Sequence, residues 1–420
     1  MNSKVNHIIS FLLLVPMANL YSQDTAVLSL NYIVKRVETE YPLVLQYDLR
    51  VKSLQSKVEG SSSWMPPTFS FGLNSFPYQL NMIKRKDDPM NWAALMFSAE
   101  QMIPNSSKLR AKGNYYSSLK EVQQNNAAWT KNILRTQVRL LFYQRLVGER
   151  KIRLIADSRK VLNLLIKMSE SKYTYNQANL SSIFKAKARA QELTNMETMA
   201  KSEITESNIG LNTLLNRETT TPFTIDTAVV LKDYESTILL QDTSLVQRSD
   251  ISSMTNSIHA MEMNRIWMAT GNKPDFGLRV SHMNMYGMPN QFTVMGMITI
   301  PIAPWSSKMY KTEVQSMTYE IQAMSLEKEN MKLMAARMTN ERLAMLKYER
   351  QQYDNFRDSI ILTYSKNMEA NLLAYKQNTG NFFVLLDAWD MLLMKRFEQL
   401  EKLQLLFRLQ AEYEYETETR

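Results

Sequence analysis

Residues 275–308 read DFGLRVSHMNMYGMPNQFTVMGMITIPIAPWSSK. Phe276, Leu278 and Val280 alternate with Gly277, Arg279 and Ser281. Beyond the turn signal Gly287-Met288-Pro289-Asn290, Phe292, Val294, Ile298 and Ile300 alternate with Thr293, Met295, Met297 and Thr299. Two period-two runs around such a turn predict a β-hairpin with one apolar face. Each strand is about ten residues, the length a tilted strand needs to cross a bilayer. A weaker copy lies upstream: Phe69, Phe71 and Leu73 alternate with Ser70, Gly72 and Asn74, and a partner strand is expected over Trp92–Gln101.

Pro66, Pro67, Pro77, Pro89, Pro274, Pro289 and Pro301 crowd into these two regions, residues 64–104 and 273–304. Between Pro104 and Pro222 lie 117 residues without proline, and residues 305–420 also lack it. Both blocks are rich in Ala, Leu, Lys, Glu, Gln and Met, which favour helix. They can be superposed at an offset near 200: Pro104-Asn105-Ser106-Ser107-Lys108 matches Pro304-Trp305-Ser306-Ser307-Lys308. Tyr173, Asn176, Ala178 and Asn179 match Tyr375, Asn378, Gly380 and Asn381 at offset 202. The repeat unit is therefore a strand pair, a long helix, an interruption and a second helix. Asn176 and Asn378 suit the interruption, because Asn tolerates the left-handed conformation. A continuous helix over 105–175 would run about 105 Å, a length stable only in coiled-coil packing.

Composition removes most other classes. The chain has 420 residues, 10 Gly, 12 Pro, no Cys and three His (His7, His259 and His282). Thiol catalysis, disulfides and thiolate metal sites are excluded, and a histidine-built zinc site or a catalytic triad has almost nothing to draw on. No constellation of nucleophile, base and orienting partner can be assembled, so neither an enzyme nor a cofactor is expected. The net charge of +9 is spread along helices among Glu and Gln, without a basic stripe interleaved with aromatics, so nucleic acid is not an expected partner.

Lys4, the apolar run Ile8–Leu14 and the small or polar residues 18–23 form the pattern of a secretory signal peptide over residues 1–23. No later stretch offers 18 uninterrupted apolar residues, so any membrane passage would have to be made by a closed β-barrel. Four strands cannot close a barrel alone, and oligomerisation would be required.

The duplicated strand pair and helical hairpin, the Ile300-Pro301 strand exit and a hairpin tip like the Tyr-x-x-Gly…Leu-x-Ala signature, with Asn176 and Asn378 where the family has Gly and Gly380 two residues later in the second copy only, resemble the TolC-type outer-membrane efflux proteins. The resemblance spans nearly the whole mature chain. It implies a mixed α and β fold: a homotrimer in which four strands per protomer give a 12-stranded outer-membrane β-barrel, continued by long helical hairpins as a periplasmic α-barrel. The segments would then be 24–63 (N-terminal helix and equatorial region), 64–104 (first β-hairpin) and 105–216 (first helical hairpin, tip near 173–179). An equatorial linker (217–250), a helix (251–272), the second β-hairpin (273–304), the second helical hairpin (305–410, tip near 375–381) and a C-terminal tail (411–420) follow. It implies a passive exit duct fed by a periplasmic adaptor protein and an inner-membrane pump, of resistance-nodulation-division type. Tyr173, Asn176, Asn179, Tyr375, Asn378, Gly380 and Asn381 would form adaptor-docking tips. Asp387, in Val384-Leu-Leu-Asp387-Ala388, would contribute to a constricting periplasmic gate, with Val384 where the family has a second acid. The alternatives left open are a duct for drugs or proteins and an exported coiled-coil scaffold.

Methionine is abundant, 29 residues. Met317, Met324, Met331, Met338 and Met345 recur every seven residues, as a packing seam does. Met283, Met285, Met295 and Met297 fall by alternation on the non-lipid face of the hairpin, with His282 and Met288 near its turn. A register slip of one residue would instead turn them to lipid. Thioethers are soft ligands, so this set is a candidate metal site for Cu(I) or Ag(I), the heavy-metal cargo that one branch of the family exports.

Overall fold

The structure, a computed structural model, describes residues 27–80, 83, 92–175, 178–234, 248–301 and 303–419. The expected signal peptide lies outside them. Eight helices carry most of the chain: α1 (Leu30–Glu40), α2 (Pro42–Gly60), α3 (Ser106–Thr174), α4 (Leu180–Leu214), α5 (Ser249–Ala269), α6 (Pro304–Asn355), α7 (Ile361–Lys376) and α8 (Phe382–Glu416). None among the described residues is long and apolar enough to cross a membrane.

The unbroken helix expected after Pro104 is α3, of 69 residues, about 100 Å long. The Asn105 side chain caps it by accepting the Ser107 N–H at 3.0 Å, and no proline or helix-breaking pair interrupts it. Its middle turns bury Leu134, Val138, Phe142 and Leu146 against Ile33 and Val37 of α1, Leu211 of α4 and Phe407 of α8. Nearer the tip, Ile155, Leu162 and Leu165 join Leu193 of α4 and Leu385, Leu386 and Trp389 of α8. Two helical hairpins, α3–α4 and α6–α8, thus share two cores along their length. The second copy is less regular: a π-helical turn at Phe356–Ile360 separates α6 from α7, which sequence composition did not signal. The heptad methionines of α6 behave as a seam at one end. Met317 is buried and Met331 packs on Ile251 of α5, but Met345 is 38% exposed.

Strands β2 (Thr68–Asn74), β3 (Ala94–Ile103), β5 (Asp275–Met285) and β6 (Gln291–Thr299) form one antiparallel sheet in the order β2-β3-β5-β6. Both predicted strand pairs are present, and the two copies join through β3 and β5, where Ser98 stands opposite Ser281. The short strands β1 (Val27–Leu28) and β4 (Thr224–Ile225) pair in parallel.

The boundary expected at 410 is corrected. Residues 411–416 continue α8 and are packed, with Ala411, Tyr413, Glu414 and Glu416 all buried. They hold because their polar groups are paired: Glu414 lies 2.8 Å from both Arg139 and Lys232, and Glu416 lies 2.5 Å from Arg248. Residues 217–234 and the start of α5 are thereby tied to the helical body. The helix expected over 251–272 begins at Ser249 and ends at Ala269, with a 3-10 turn over Thr270–Asn272.

Candidate functional site

The register settles what each face of the sheet carries. On one face stand Phe69, Phe71 and Leu73 of β2, Leu95, Phe97 and Ile103 of β3, Phe276, Leu278 and Val280 of β5, and Phe292, Val294 and Ile298 of β6. Phe69 is 77% exposed and Phe292 78%, and among the described residues nothing covers this face. The opposite face is polar and more shielded. Ser70 and Ser98 share a 2.6 Å hydrogen bond, Arg279 donates to Glu100 at 2.9 Å, and Ser281 is buried.

Met283, Met285, Met295 and Met297 lie on this polar face, as alternation predicts, and the paired register leaves no one-residue slip. His282 does not. It stands opposite Phe97 and Phe292, on the apolar face, because it occupies an even position of β5. It is therefore removed from the metal candidates. Met288 sits in the turn between β5 and β6, away from the paired rows. Two residues absent from the sequence-derived set join the polar face: Met96, opposite Met283, and Met102, opposite Gly277. Only the pairing of β3 with β5 reveals them, since nothing local to residues 94–103 fixes their partner. Among the described residues no group of three or more His, Cys, Asp or Glu could hold a metal ion.

The far ends of the hairpins form a second candidate site. The α7–α8 turn adopts the expected form: Asn378 has φ 61°, the Thr379 and Gly380 N–H groups both donate to the Ala374 carbonyl at 3.0 Å, and Asn381 caps α8 by accepting the Phe383 N–H at 2.8 Å. Asn176 lies outside the described residues, and Asn179 is the N-cap of α4 without a side-chain bond. Lys172, in the last turn of α3, donates to Asn378 Oδ1 at 2.5 Å and to the Tyr375 carbonyl, with its Nζ 4.0 Å from the Tyr375 ring centre. The two hairpin tips are thus latched to each other. Tyr375 is only 3% exposed and packs edge-on against Phe382 at 5.4 Å, so it is a packing residue and is withdrawn as a docking contact. Burial pushes its hydroxyl pKa up. The repeat is asymmetric here. Its counterpart Tyr173 is exposed, together with Tyr175, Leu180 and Phe184.

Gly380 is required by close approach rather than by φ, because a Cβ there would lie 3.0 Å from backbone atoms of Ala374 and Tyr375. Gly380→Val should cost about 1–3 kcal/mol locally, as overpacking against rigid atoms does. Amide exchange across 374–385 should accelerate while the rest of α8 stays protected. Unchanged exchange at the turn would show that the turn absorbs the side chain.

Asp387 lies on the unpacked face of α8, exposed, with Val384 before it and Met391 and Met394 after it at helical spacing. Asp390, one turn on, accepts an ion pair from Arg189 of α4 at 2.9 Å. Burial raises its carboxyl pKa, Arg189 opposes, and Glu192 and Asp387 add to the rise. Asp390 is thus engaged by Arg189 on the α4 side, whereas Asp387 stands exposed.

No protein-family model matches the sequence, and no curated protein is similar to it in sequence. Solved structures are similar in fold. The outer-membrane channel OprN superposes with a TM-score of 0.75 over 92% of this chain and 89% of that one, at 12% identity. CusC, described for its folding and transmembrane channel formation, superposes at 0.74 over 92% and 91%, at 12% identity. The outer membrane protein VceC of Vibrio cholerae does so at 0.72 over 92% and 95%, at 13% identity. The chain has the fold of these outer-membrane proteins: long helical hairpins continued by a four-stranded sheet.

Proposed function

We propose that this chain is a protomer of a trimeric TolC-type outer-membrane exit duct, working with a periplasmic adaptor and an inner-membrane pump. One observation carries the reading: a four-stranded sheet whose apolar face is open and whose edge strands β2 and β6 have no strand partner among the described residues. In water such a surface is an aggregation template. In a closed trimer β2 of one protomer meets β6 of the next, every backbone group is satisfied, and the Phe, Leu, Val and Ile face meets lipid. A soluble coiled-coil scaffold gives this sheet no purpose.

The helical hairpins then extend into the periplasm, and their tips take the adaptor. Tyr173, Asn179, Asn378 and Asn381 remain docking candidates, joined by the exposed Tyr175, Leu180 and Phe184. Asp387 lies near the periplasmic mouth, where three copies favour cations. The cargo we assign is heavy-metal cations, because the polar face of the sheet offers soft ligands. Drugs or proteins are the alternative cargo.

The test is expression of the full chain in a Gram-negative host. Recovery from the outer membrane as a trimer that dissociates only on heating, and a cation-selective conductance in planar bilayers that weakens in Asp387→Asn, is the expected result. Recovery as a soluble monomer overturns the duct. A conductance whose selectivity ignores Asp387→Asn overturns the gate assignment alone.

A further inference from the structure

The strands contain six methionines: Met96, Met102, Met283, Met285, Met295 and Met297. All six project from the polar face, and among the described residues the apolar face has none. Were methionine here a generic apolar filler, it would share the lipid-type face with Phe, Leu, Val and Ile. Its neighbours are instead Ser70, Ser98, Ser281, Thr293 and the Glu100–Arg279 ion pair.

Two places bring thioethers together. Met102, Gly277 and Met297 form one row across β3, β5 and β6. Gly277 has no side chain, and both neighbours lean into the space it leaves: a Cβ there would lie 2.8 Å from Met102 Sδ and 3.0 Å from Met297 Cε. Nearer the β5–β6 turn, Met96 stands directly opposite Met283, whose Sδ accepts from Asn74 Nδ2 at 3.8 Å. Six residues of strand separate the rows, about 20 Å along β3.

We propose that these two pairs, Met102 with Met297 and Met96 with Met283, are successive binding stations for a soft monovalent cation, Cu(I) or Ag(I). This rests on the duct reading, in which the polar face lines the lumen. Neutral thioethers select soft d10 ions and ignore Mg²⁺, Ca²⁺ and Na⁺, which need oxygen ligands. Between the stations Arg279 neutralises Glu100 at 2.5 Å, so no free carboxylate competes there for hard cations. Two thioethers per station hold an ion weakly enough to release it, as conduction through successive sites requires.

The experiment uses the purified full-length protein in detergent and silver nitrate in chloride-free buffer, with bound Ag(I) counted after equilibrium dialysis. Met102→Leu with Met297→Leu should remove about one Ag(I) per chain, and Met96→Leu with Met283→Leu about one more, since leucine keeps the volume and loses the ligand. Gly277→Ala should weaken the first station alone, because its Cβ takes the space the two side chains share. The heat-resistant trimer band reports whether each variant still assembles. If the fourfold leucine variant binds as much Ag(I) as the parent, the stations do not exist, and conductance in potassium nitrate still reports the duct. If the parent neither trimerises nor conducts yet loses Ag(I) with these substitutions, the stations stand and the duct falls.

Discussion

Replacing Glu414 by Ala should lower the stability of the helical domain by about 3–5 kcal/mol, the cost of stranding a buried charge. Glu414 is completely buried, and so nearly is Arg139, whose Nη1 lies 2.8 Å from it in an ionic contact out of line for a hydrogen bond. Lys232 reaches the other carboxylate oxygen at 2.8 Å, Gln410 donates to it at 3.2 Å, and the Tyr234 hydroxyl donates as well. Burial, then the bond to Glu414, pushes the Tyr234 hydroxyl pKa up. Tyr143 is pushed up to about 12, first by burial and then by the Glu414 charge, with Arg139 opposing. Glu414→Ala leaves Arg139 without its counter-ion in that environment, whereas Lys232 is half exposed and can turn to water. Replacing both Arg139 and Glu414 by Leu should therefore recover most of the loss. Asp157→Ala, which removes an exposed pair with Lys160, should change almost nothing. Thermal unfolding of the detergent-solubilised protein measures all three. A shift for Glu414→Ala as small as that for Asp157→Ala would mean the pair is not what closes this end of the domain.

This cluster also marks the limit of what the sequence discloses. The helices were legible because proline and glycine are missing from two long blocks, and a helix is a local object whose absence of breakers can be counted. The strand faces were legible because alternation is local too. What could not be read is pairing between segments far apart in the chain. Arg139 and Glu414 are about 275 positions apart, so nothing local to residues 411–420 signals the ion pair that packs them. Met96 and Met102 carry no local signal for the same reason: until β3 is set beside β5, they are two scattered methionines. His282 erred in the opposite direction. Proximity in sequence to Met283 suggested a shared site, and a strand separates such neighbours onto opposite faces. The π-turn at Phe356–Ile360 has no sequence signal that we can name.

The strongest contrast should come from one strand and two adjacent residues. Val294 is 59% exposed on the apolar face, opposite Val280, and Thr293 is exposed on the polar face, opposite Ser281. If the sheet joins a trimeric barrel, Val294→Arg puts a guanidinium into hydrocarbon near mid-strand, at about 2–4 kcal/mol per chain and three times per trimer. Heat-resistant trimer in the outer membrane should all but vanish. Thr293→Arg adds the same charge one residue away, into the water-filled lumen. It should leave assembly intact and lower cation conductance, because three added positive charges repel cations where the duct is lined by neutral groups and a self-neutralised Glu100–Arg279 pair. A pure packing role for the sheet predicts a different pattern. With no lipid against it, the apolar face would accept arginine at Val294 about as readily as the polar face does at Thr293, since both positions are exposed. Equal assembly of the two variants, or a greater loss for Thr293→Arg, would therefore exclude lipid as the partner of the apolar face.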